Sequence, residues 1–207
     1  AVREPNPEPF EISETRWSVW PTWESWTWPG YEGKDIQVEV YSKYPEVRLY
    51  LNDKMIGEQA TTEEQQFKAT FIVPYTPGEL RAVGLTGNNE TEKAILKTAG
   101  SAAIIKAKAD RTTILANGQD LSFVSIELTD KNGNLQPNAE NRLKFSIDGP
   151  GVIAGVDNAN IKDVDSYVAN TRKAWHGRAL VVVRSTRKSG DITLTVSSDG
   201  LSAASIT

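Results

Sequence analysis

The stretch Val47-Arg48-Leu49-Tyr50-Leu51-Asn52-Asp53-Lys54-Met55-Ile56-Gly57 contains the pattern that decides the fold. In its first half every second residue is aliphatic, which is the period of a β-strand with one buried face. Asn52-Asp53-Lys54 is typical of a tight turn, and Met55-Ile56-Gly57 begins a return strand. The stretch therefore predicts an antiparallel hairpin.

The same alternation returns along most of the chain, interrupted by Gly, Asn and Pro. Alternation broken at such intervals is typical of antiparallel β-sandwiches whose sheets each have one solvated face. A continuous apolar run at 179–185 predicts a strand that is buried on both faces, and no stretch has a convincing helical period. The other expected strands lie near 36–41, 67–73, 79–86, 91–98, 104–109, 124–129, 143–148, 152–156, 192–196 and 204–207.

The length of 207 residues fits two domains of about 100 residues each. The small residues at 100–103 separate the two sets of strands. We therefore predict an all-β protein with two tandem immunoglobulin-like antiparallel β-sandwiches, preceded by an extended Trp/Pro-rich segment. Residues 1–30 form that segment, a linker and ribbon packed on the first sandwich. The sandwiches occupy residues 31–100 and 101–207.

Composition excludes several classes of function. The net charge is -4, from 23 basic and 27 acidic residues, whereas a nucleic-acid partner favours a strongly basic face. The chain has no cysteine, so disulfides and thiolate metal sites are excluded. No apolar run approaches the ~18 residues of a membrane span, so we expect no membrane insertion. The chain opens on Glu4-Pro5-Asn6-Pro7-Glu8-Pro9, which we interpret as a linker from a longer protein.

Five of the six tryptophans lie between residues 17 and 28, in a segment that we call the Trp ribbon. Four of them fall at a spacing of three. A polyproline II helix has three residues per turn, so this spacing would place the four rings along one edge of an extended segment. Flat indoles can bind the apolar faces of sugars, but large aromatic side chains also serve packing and interfaces. The candidate residues for glycan binding or packing between modules are Trp17, Trp20, Trp23, Trp26, Trp28 and Tyr31.

Acidic residues and the single histidine offer no convincing catalytic site. Glycosidic hydrolysis needs two carboxyl groups across the scissile bond, one with a raised pKa. Glu24 and the pair Glu63–Glu64 are the obvious candidates, and the polar neighbours of the pair indicate a solvated loop. His176 lies between Trp175 and a glycine, which favours a turn or packing role over a catalytic triad. We predict no catalytic residue in this chain.

Two loops resemble calcium sites only superficially. Asp130-Lys131-Asn132-Gly133-Asn134 begins like a calcium loop, but it lacks the glycine and glutamate that an EF-hand needs further on. It is better explained as a hairpin turn, since Asn-Gly adopts positive φ easily. Asp157, Asp163 and Asp165 lie on a long irregular segment, 157–177, which is either functional or a covering flap. Oxygen ligands in a loop are too common to be diagnostic, and we predict no metal site or cofactor.

Two groups of motifs run through the chain. The first comprises Trp26-Thr27-Trp28-Pro29-Gly30-Tyr31-Glu32-Gly33-Lys34, Val38-Glu39-Val40-Tyr41-Ser42 and Val47-Arg48-Leu49-Tyr50-Leu51-Asn52. The second comprises Ala109-Asp110-Arg111, Gly118-Gln119-Asp120-Leu121-Ser122-Phe123-Val124, Asp130-Lys131-Asn132-Gly133-Asn134, Gly155-Val156-Asp157-Asn158 and Arg172-Lys173-Ala174-Trp175. Together they resemble two successive modules that follow the catalytic barrel in bacterial glycoside hydrolase family 2 enzymes, the β-galactosidase-like proteins.

Two loops depart from the usual pattern of that family. Asn158 is usually followed by Gly-Asn, where this chain has Ala159-Asn160. Phe-Asn-Gly is usual near the position of Trp175-His176-Gly177. These departures concern loop geometry and leave the expected fold unchanged.

The resemblance implies that the parent protein is a large exo-acting glycosidase, exported to the periplasm or cell surface of a bacterium. In that family the catalytic glutamates lie in the barrel, so the resemblance assigns no catalytic residue to this chain. It implies a non-catalytic region whose partner is the missing barrel of the same polypeptide, with glycan as a further candidate partner. Two alternatives stay open: a carbohydrate-binding module that uses the Trp ribbon, and a structural or adhesion-type spacer.

Overall fold

The computed structural model describes residues 1–5 and 22–207 of the chain. The chain divides into two compact units, Ala1–Thr98 and Ala99–Thr207. Each unit contains two four-stranded antiparallel sheets. The described residues include no α-helix and one turn of 3-10 helix, Glu63–Gln65. The all-β prediction with paired sandwich sheets is therefore confirmed, whereas residues 17–21 of the Trp ribbon lie outside the described residues.

The first unit has eight strands in two sheets. One sheet has the order β2-β1-β3-β6 and the other the order β5-β4-β7-β8. The strands are β1 (Val2–Arg3), β2 (Thr22–Trp23), β3 (Asp35–Tyr41), β4 (Glu46–Leu51), β5 (Lys54–Ala60), β6 (Lys68–Pro74), β7 (Glu79–Thr86) and β8 (Asn89–Lys97).

The hairpin predicted from residues 47–57 is present as β4 and β5. Asn52 and Asp53 connect the strands with φ values of 50° and 61°, a left-handed conformation that Asn and Asp tolerate. Along β4, Val47, Leu49 and Leu51 are buried in the core of the unit. Burial of such a side chain contributes about 2 kcal/mol.

The second unit also has eight strands in two sheets. Their orders are β12-β14-β10-β9 and β13-β11-β15-β16. The strands are β9 (Ile104–Ala109), β10 (Leu121–Thr129), β11 (Arg142–Asp148), β12 (Gly151–Asp157), β13 (Thr171–Lys173), β14 (Arg178–Ser185), β15 (Thr193–Ser197) and β16 (Ala204–Ile206).

The turn at 130–134 follows its prediction and is held by one carboxylate. Asp130 is buried and accepts hydrogen bonds from the backbone N–H groups of Gly100, Asn132 and Asn134 at 2.8–2.9 Å. Gly133 takes a φ of 84°. Burial acts to raise the pKa of Asp130, but these hydrogen bonds outweigh it and the pKa lies below its ordinary value.

The prediction that the strand at 179–185 is buried on both faces is wrong. In β14, Ala179, Val181 and Val183 are buried, whereas Leu180 and Val182 are only partly covered. In a two-layer sandwich only one face of each sheet meets the opposite sheet. An apolar run without alternation therefore does not indicate whether one face of the strand or both faces are covered.

Candidate functional site

Trp26 is part of the core of the first unit. Its side chain is fully buried, its Nε1 donates to the carbonyl oxygen of Thr76 at 3.0 Å, and its ring meets Tyr75 edge-on at 5.0 Å. The backbone oxygen of Trp26 also accepts a hydrogen bond from the Thr98 hydroxyl at 2.6 Å. A ring buried in this way presents no face to a sugar, so Trp26 packs the segment onto the sandwich.

Trp28 and Tyr31 lie against the same core and are partly exposed. The backbone N–H of Trp28 donates to the Tyr75 hydroxyl at 3.1 Å, and its Nε1 donates to the Ser25 carbonyl oxygen at 3.3 Å. The Tyr31 hydroxyl donates to the Pro5 carbonyl oxygen at 3.4 Å. Tyr75 therefore touches both Trp26 and Trp28 and fixes the end of the Trp ribbon.

Trp23 is also partly exposed and lies in the short strand β2, opposite Val2 of β1. Its Nε1 donates to a carboxylate oxygen of Glu4 at 3.1 Å. Trp17 and Trp20, two of the four tryptophans at the spacing of three, lie outside the described residues. The described candidates thus divide into one buried ring, Trp26, and three partly exposed rings.

The acidic candidates for catalysis are surface residues. Glu24 is exposed, and Glu63 and Glu64 are exposed in the 3-10 turn. His176 occupies a two-residue turn with φ 49°, and its ring contacts that of Trp175 at 4.3 Å. The described residues contain no group of three His, Cys, Asp or Glu side chains that could hold a metal ion.

Carboxyl groups with shifted pKa values lack the property that a general acid needs. Each of the shifted groups on the described residues has a pKa below its ordinary value, because hydrogen bonds or neighbouring cations stabilise the charged form. A glycosidase acid requires a raised pKa. These groups are Glu39, Glu92, Asp110, Asp120, Asp130 and Asp163.

The irregular loop 158–170 is organised by a buried arginine. Arg172 of β13 has no exposed surface. Its Nη2 donates to the Val156 carbonyl oxygen at 3.0 Å, and its Nη1 donates to the Asp165 carbonyl oxygen at 3.2 Å. The guanidinium also lies 4.7 Å from the centre of the Tyr167 ring. One side chain therefore contacts both the strand before the loop and the middle of the loop.

Asp163 provides the negative charge for this arginine. Its Oδ2 lies 3.2 Å from Arg172 Nη1 and accepts a hydrogen bond from Asn158 Nδ2 at 2.6 Å. The Asp165 backbone N–H donates to Oδ1 at 2.9 Å. The hydrogen bond from Asp165, followed by those of the other neighbours, holds the pKa of Asp163 below its ordinary value. Of the three aspartates considered for calcium, Asp163 and Asp157 have carboxylate oxygens 3.2 and 4.0 Å from Arg172, whereas the Asp165 carboxylate pairs with Arg142.

Sequence reasoning missed the role of Arg172. The arginine appeared only within a family motif, because a single charge between polar residues gives no indication of burial. The departure at Ala159 did indicate a special geometry. Ala159 takes a φ of 61°, a left-handed conformation in which glycine avoids steric cost.

The outer part of this loop exposes apolar side chains, which we call the apolar tip: Ile161, Val164, Tyr167 and Val168. Their exposed fractions are 96%, 97%, 57% and 82%. Such side chains gain from burial, and a cluster of them rimmed by polar residues marks an interaction site. Arg172 contacts the Tyr167 ring and the Asp165 carbonyl oxygen, so it links this part of the loop to the sandwich.

Two regions of the chain match the profiles of known domain families. Residues 105–207 match the profile of glycoside hydrolase family 2 C-terminal domain 5. Residues 33–92 match a domain of unknown function, DUF4982. The chain belongs to glycoside hydrolase family 2 as C-terminal β-sandwich modules, which confirms the resemblance found in its motifs.

Individual relatives agree with this assignment. A beta-galactosidase of Bacteroides ovatus, BoGH2A, is 33% identical over 180 residues, which are 86% of this chain and 21% of that protein. A beta-glucuronidase of Formosa agariphila is 28% identical over 186 residues, 87% of this chain and 18% of that protein. The solved structure of a family 2 member from Bacteroides cellulosilyticus is 41% identical, with a TM-score of 0.91 over 99% of this chain and 27% of that one. This chain thus spans about a fifth to a quarter of the length of its relatives.

Proposed function

We propose that this chain is the non-catalytic C-terminal region of a β-galactosidase-like family 2 glycosidase and that it supports the catalytic barrel of the same polypeptide. The apolar tip carries the proposal, because exposed aliphatic groups on an anchored loop fit a protein surface. The chain corresponds to only 21% and 27% of the length of two of its relatives, so most of each relative consists of other domains.

A non-catalytic role is supported by the exposure and the pKa values of the acidic residues. Glu24, Glu63 and Glu64 are exposed, and the shifted carboxyl groups favour the charged form. Catalytic carboxyl groups would lie in the barrel. We place the parent protein outside the cytoplasm of a bacterium, in the periplasm or on the cell surface. The described residues contain no helix with the length and hydropathy needed to cross a membrane.

Glycan binding by the Trp ribbon is the main alternative. Trp26 is unsuited to it because its ring is buried, and Trp28 and Tyr31 pack against the same core. Trp23, Trp28 and Tyr31 keep some exposed surface, which serves contact with the barrel in this proposal.

The first test is hydrolytic activity. The purified chain is incubated with a chromogenic β-galactoside and a chromogenic β-glucuronide. We expect no release of the chromophore above the rate in buffer. Release that increases with the concentration of the chain, and that survives further purification, would contradict a non-catalytic role.

The second test is association. The Bacteroides cellulosilyticus relative is truncated before its region of similarity, and this chain is added while calorimetry and thermal unfolding are recorded. We expect binding and a higher melting temperature of the truncated relative. The double variant Ile161→Ser/Val164→Ser should bind about tenfold more weakly, and Leu115→Ser, at another exposed aliphatic residue of the second unit, should bind normally.

Equal binding by all three forms would show that the apolar tip is not the contact. If the folded, truncated relative does not bind the chain at all, the chain is a spacer and the supporting role is wrong.

A further inference from the structure

A groove at one end of the first unit is separate from the Trp ribbon and from the apolar tip. It has a volume of about 650 Å³ and is lined by residues from both sheets of the unit. Its apolar floor includes Val40 of β3, Val47 of β4 and Ala82 of β7. Ligand pockets have volumes of about 300–1,000 Å³ and combine apolar walls with a few polar groups.

Phe67 forms one wall of the groove. The side chain is 53% exposed although it is a large apolar group. Its backbone has a φ of 57°, which is strained for a bulky residue. The Phe67 N–H donates to the Thr62 carbonyl oxygen, and the Phe67 carbonyl oxygen accepts the Ser42 N–H, each at 3.0 Å. A strained, exposed ring held by two backbone hydrogen bonds is typical of a ligand contact.

Tyr44 also lines the groove, and its ring is held in place. A Cβ atom at Gly84 would lie 2.2 Å from the Tyr44 ring, so this glycine makes room for the ring against β7. The Tyr44 hydroxyl donates to Glu92 at 3.2 Å, and Lys43 Nζ lies 5.3 Å from the ring centre. The groove is thus preorganised before any ligand binds.

The rim carries charges of both signs close together. Lys43 Nζ and Glu92 Oε2 are 3.2 Å apart, both side chains are largely exposed, and Lys93 lies beside them. Such a rim offers hydrogen-bond donors and acceptors without a strong field of one sign. It suits a neutral ligand with many hydroxyl groups better than a phosphate or a nucleic acid.

We infer that this groove binds carbohydrate, with a pyranose ring packed against Phe67 and Tyr44, which both line it. A pyranose has apolar C–H faces for the two aromatic walls and equatorial hydroxyls for Lys43 and Glu92. The groove itself indicates a neutral ligand with many hydroxyl groups. The choice of a sugar among such ligands rests on the proposed function, in which the parent protein is a glycosidase. The geometry of the groove is independent of the contact with the barrel.

The test is saturation-transfer NMR on the whole chain with lactose, galactotetraose and methyl β-glucuronide, followed by calorimetry. We expect at least one neutral sugar to bind with a millimolar or tighter Kd. Phe67→Asn should weaken binding about tenfold or more, because it removes the ring while asparagine tolerates the left-handed backbone. Ile72→Ser is the matched control, since Ile72 is 57% exposed on β6 and does not line the groove.

Absence of a signal from every sugar at tens of millimolar would overturn the inference, as would full binding by Phe67→Asn. Dimerisation that is lost in Phe67→Asn, without sugar binding, would assign the groove to a second copy of the chain. The activity and association tests above use different surfaces, so a failure here leaves the supporting role intact and a failure there leaves the groove intact.

Discussion

Two irregular segments, one in each unit, are fixed to their sandwiches by opposite chemistry. The end of the Trp ribbon is held by Trp26, whose large ring fills the first core and makes one hydrogen bond. The loop 158–170 is held by Arg172, which is equally buried but makes several directed polar contacts. Burial of an indole depends on area and shape, whereas a buried guanidinium depends on the position and charge of each partner. The first anchor should therefore tolerate changes of pH, and the second should not.

The largest effect is expected for Trp26→Ala. The change removes the biggest buried side chain among the described residues of the first unit and leaves the Thr76 carbonyl oxygen without the indole donor. We expect the free energy of unfolding to fall by about 4 kcal/mol. Urea titration measures it, with Met55→Ala as the control, because Met55 is 48% exposed. A loss no larger than that of the control would mean that Trp26 is not an anchor.

Removal of the polar anchor should have the next largest effect. Arg172→Met keeps most of the volume but leaves Asp163 without its cation, and we expect a loss of about 3 kcal/mol. Arg142→Met removes the same kind of side chain from a surface pair with Asp165, where the loss should be below about 1 kcal/mol. Equal losses in the two variants would show that the burial of Arg172 has no energetic consequence.

Acid should separate the two anchors. The folded pKa of Asp163 lies below its ordinary value of 3.8, so its stabilising effect is complete above that value and is lost as the pH falls through the folded pKa. We expect the protection factors of the backbone amides in the loop 158–170, which are corrected for the pH dependence of intrinsic exchange, to fall below about pH 4, while the Trp26 indole N–H stays protected. Asp163→Asn should exchange faster already at pH 6 and respond less to acid. A loop with unchanged protection at pH 3 would contradict the role of Asp163.

The smallest effect concerns the loop backbone beside the polar anchor. Ala159→Gly relieves a positive φ and should raise the free energy of unfolding by about 1 kcal/mol. The same substitution in a strand, Ala60→Gly in β5, should lower it by about 0.5–1 kcal/mol. Thermal unfolding of both variants compares them directly, and a lower melting temperature for Ala159→Gly would show that the alanine is not strained.

Sequence patterns were sufficient for the sandwich fold. Strict alternation in 47–51 and the turn residues Asn52 and Asp53 act over a few neighbouring positions, so they predict a hairpin without knowledge of the rest of the chain. The motifs at 26–34 and 118–124 likewise identified the family. The apolar run at 179–185 led to a wrong prediction of burial on both faces. The residues of a strand do not indicate whether a second layer packs on each of its faces.

The sites were decided by tertiary structure. Five tryptophans of one segment look alike in sequence, yet only contact with Tyr75 and Thr76, some fifty residues away, makes Trp26 a core residue. Arg172 is buried because the folded loop brings Asp163 and the carbonyl oxygens of Val156 and Asp165, 7 to 16 residues earlier, around its guanidinium. The groove lined by Phe67 and Tyr44 combines residues near 40–47, 67, 82–84 and 92–94, which are far apart in sequence. Local patterns determine strands and turns, because these depend on neighbours in sequence. The burial of a side chain and the grouping of residues into a site depend on which residues the fold brings together.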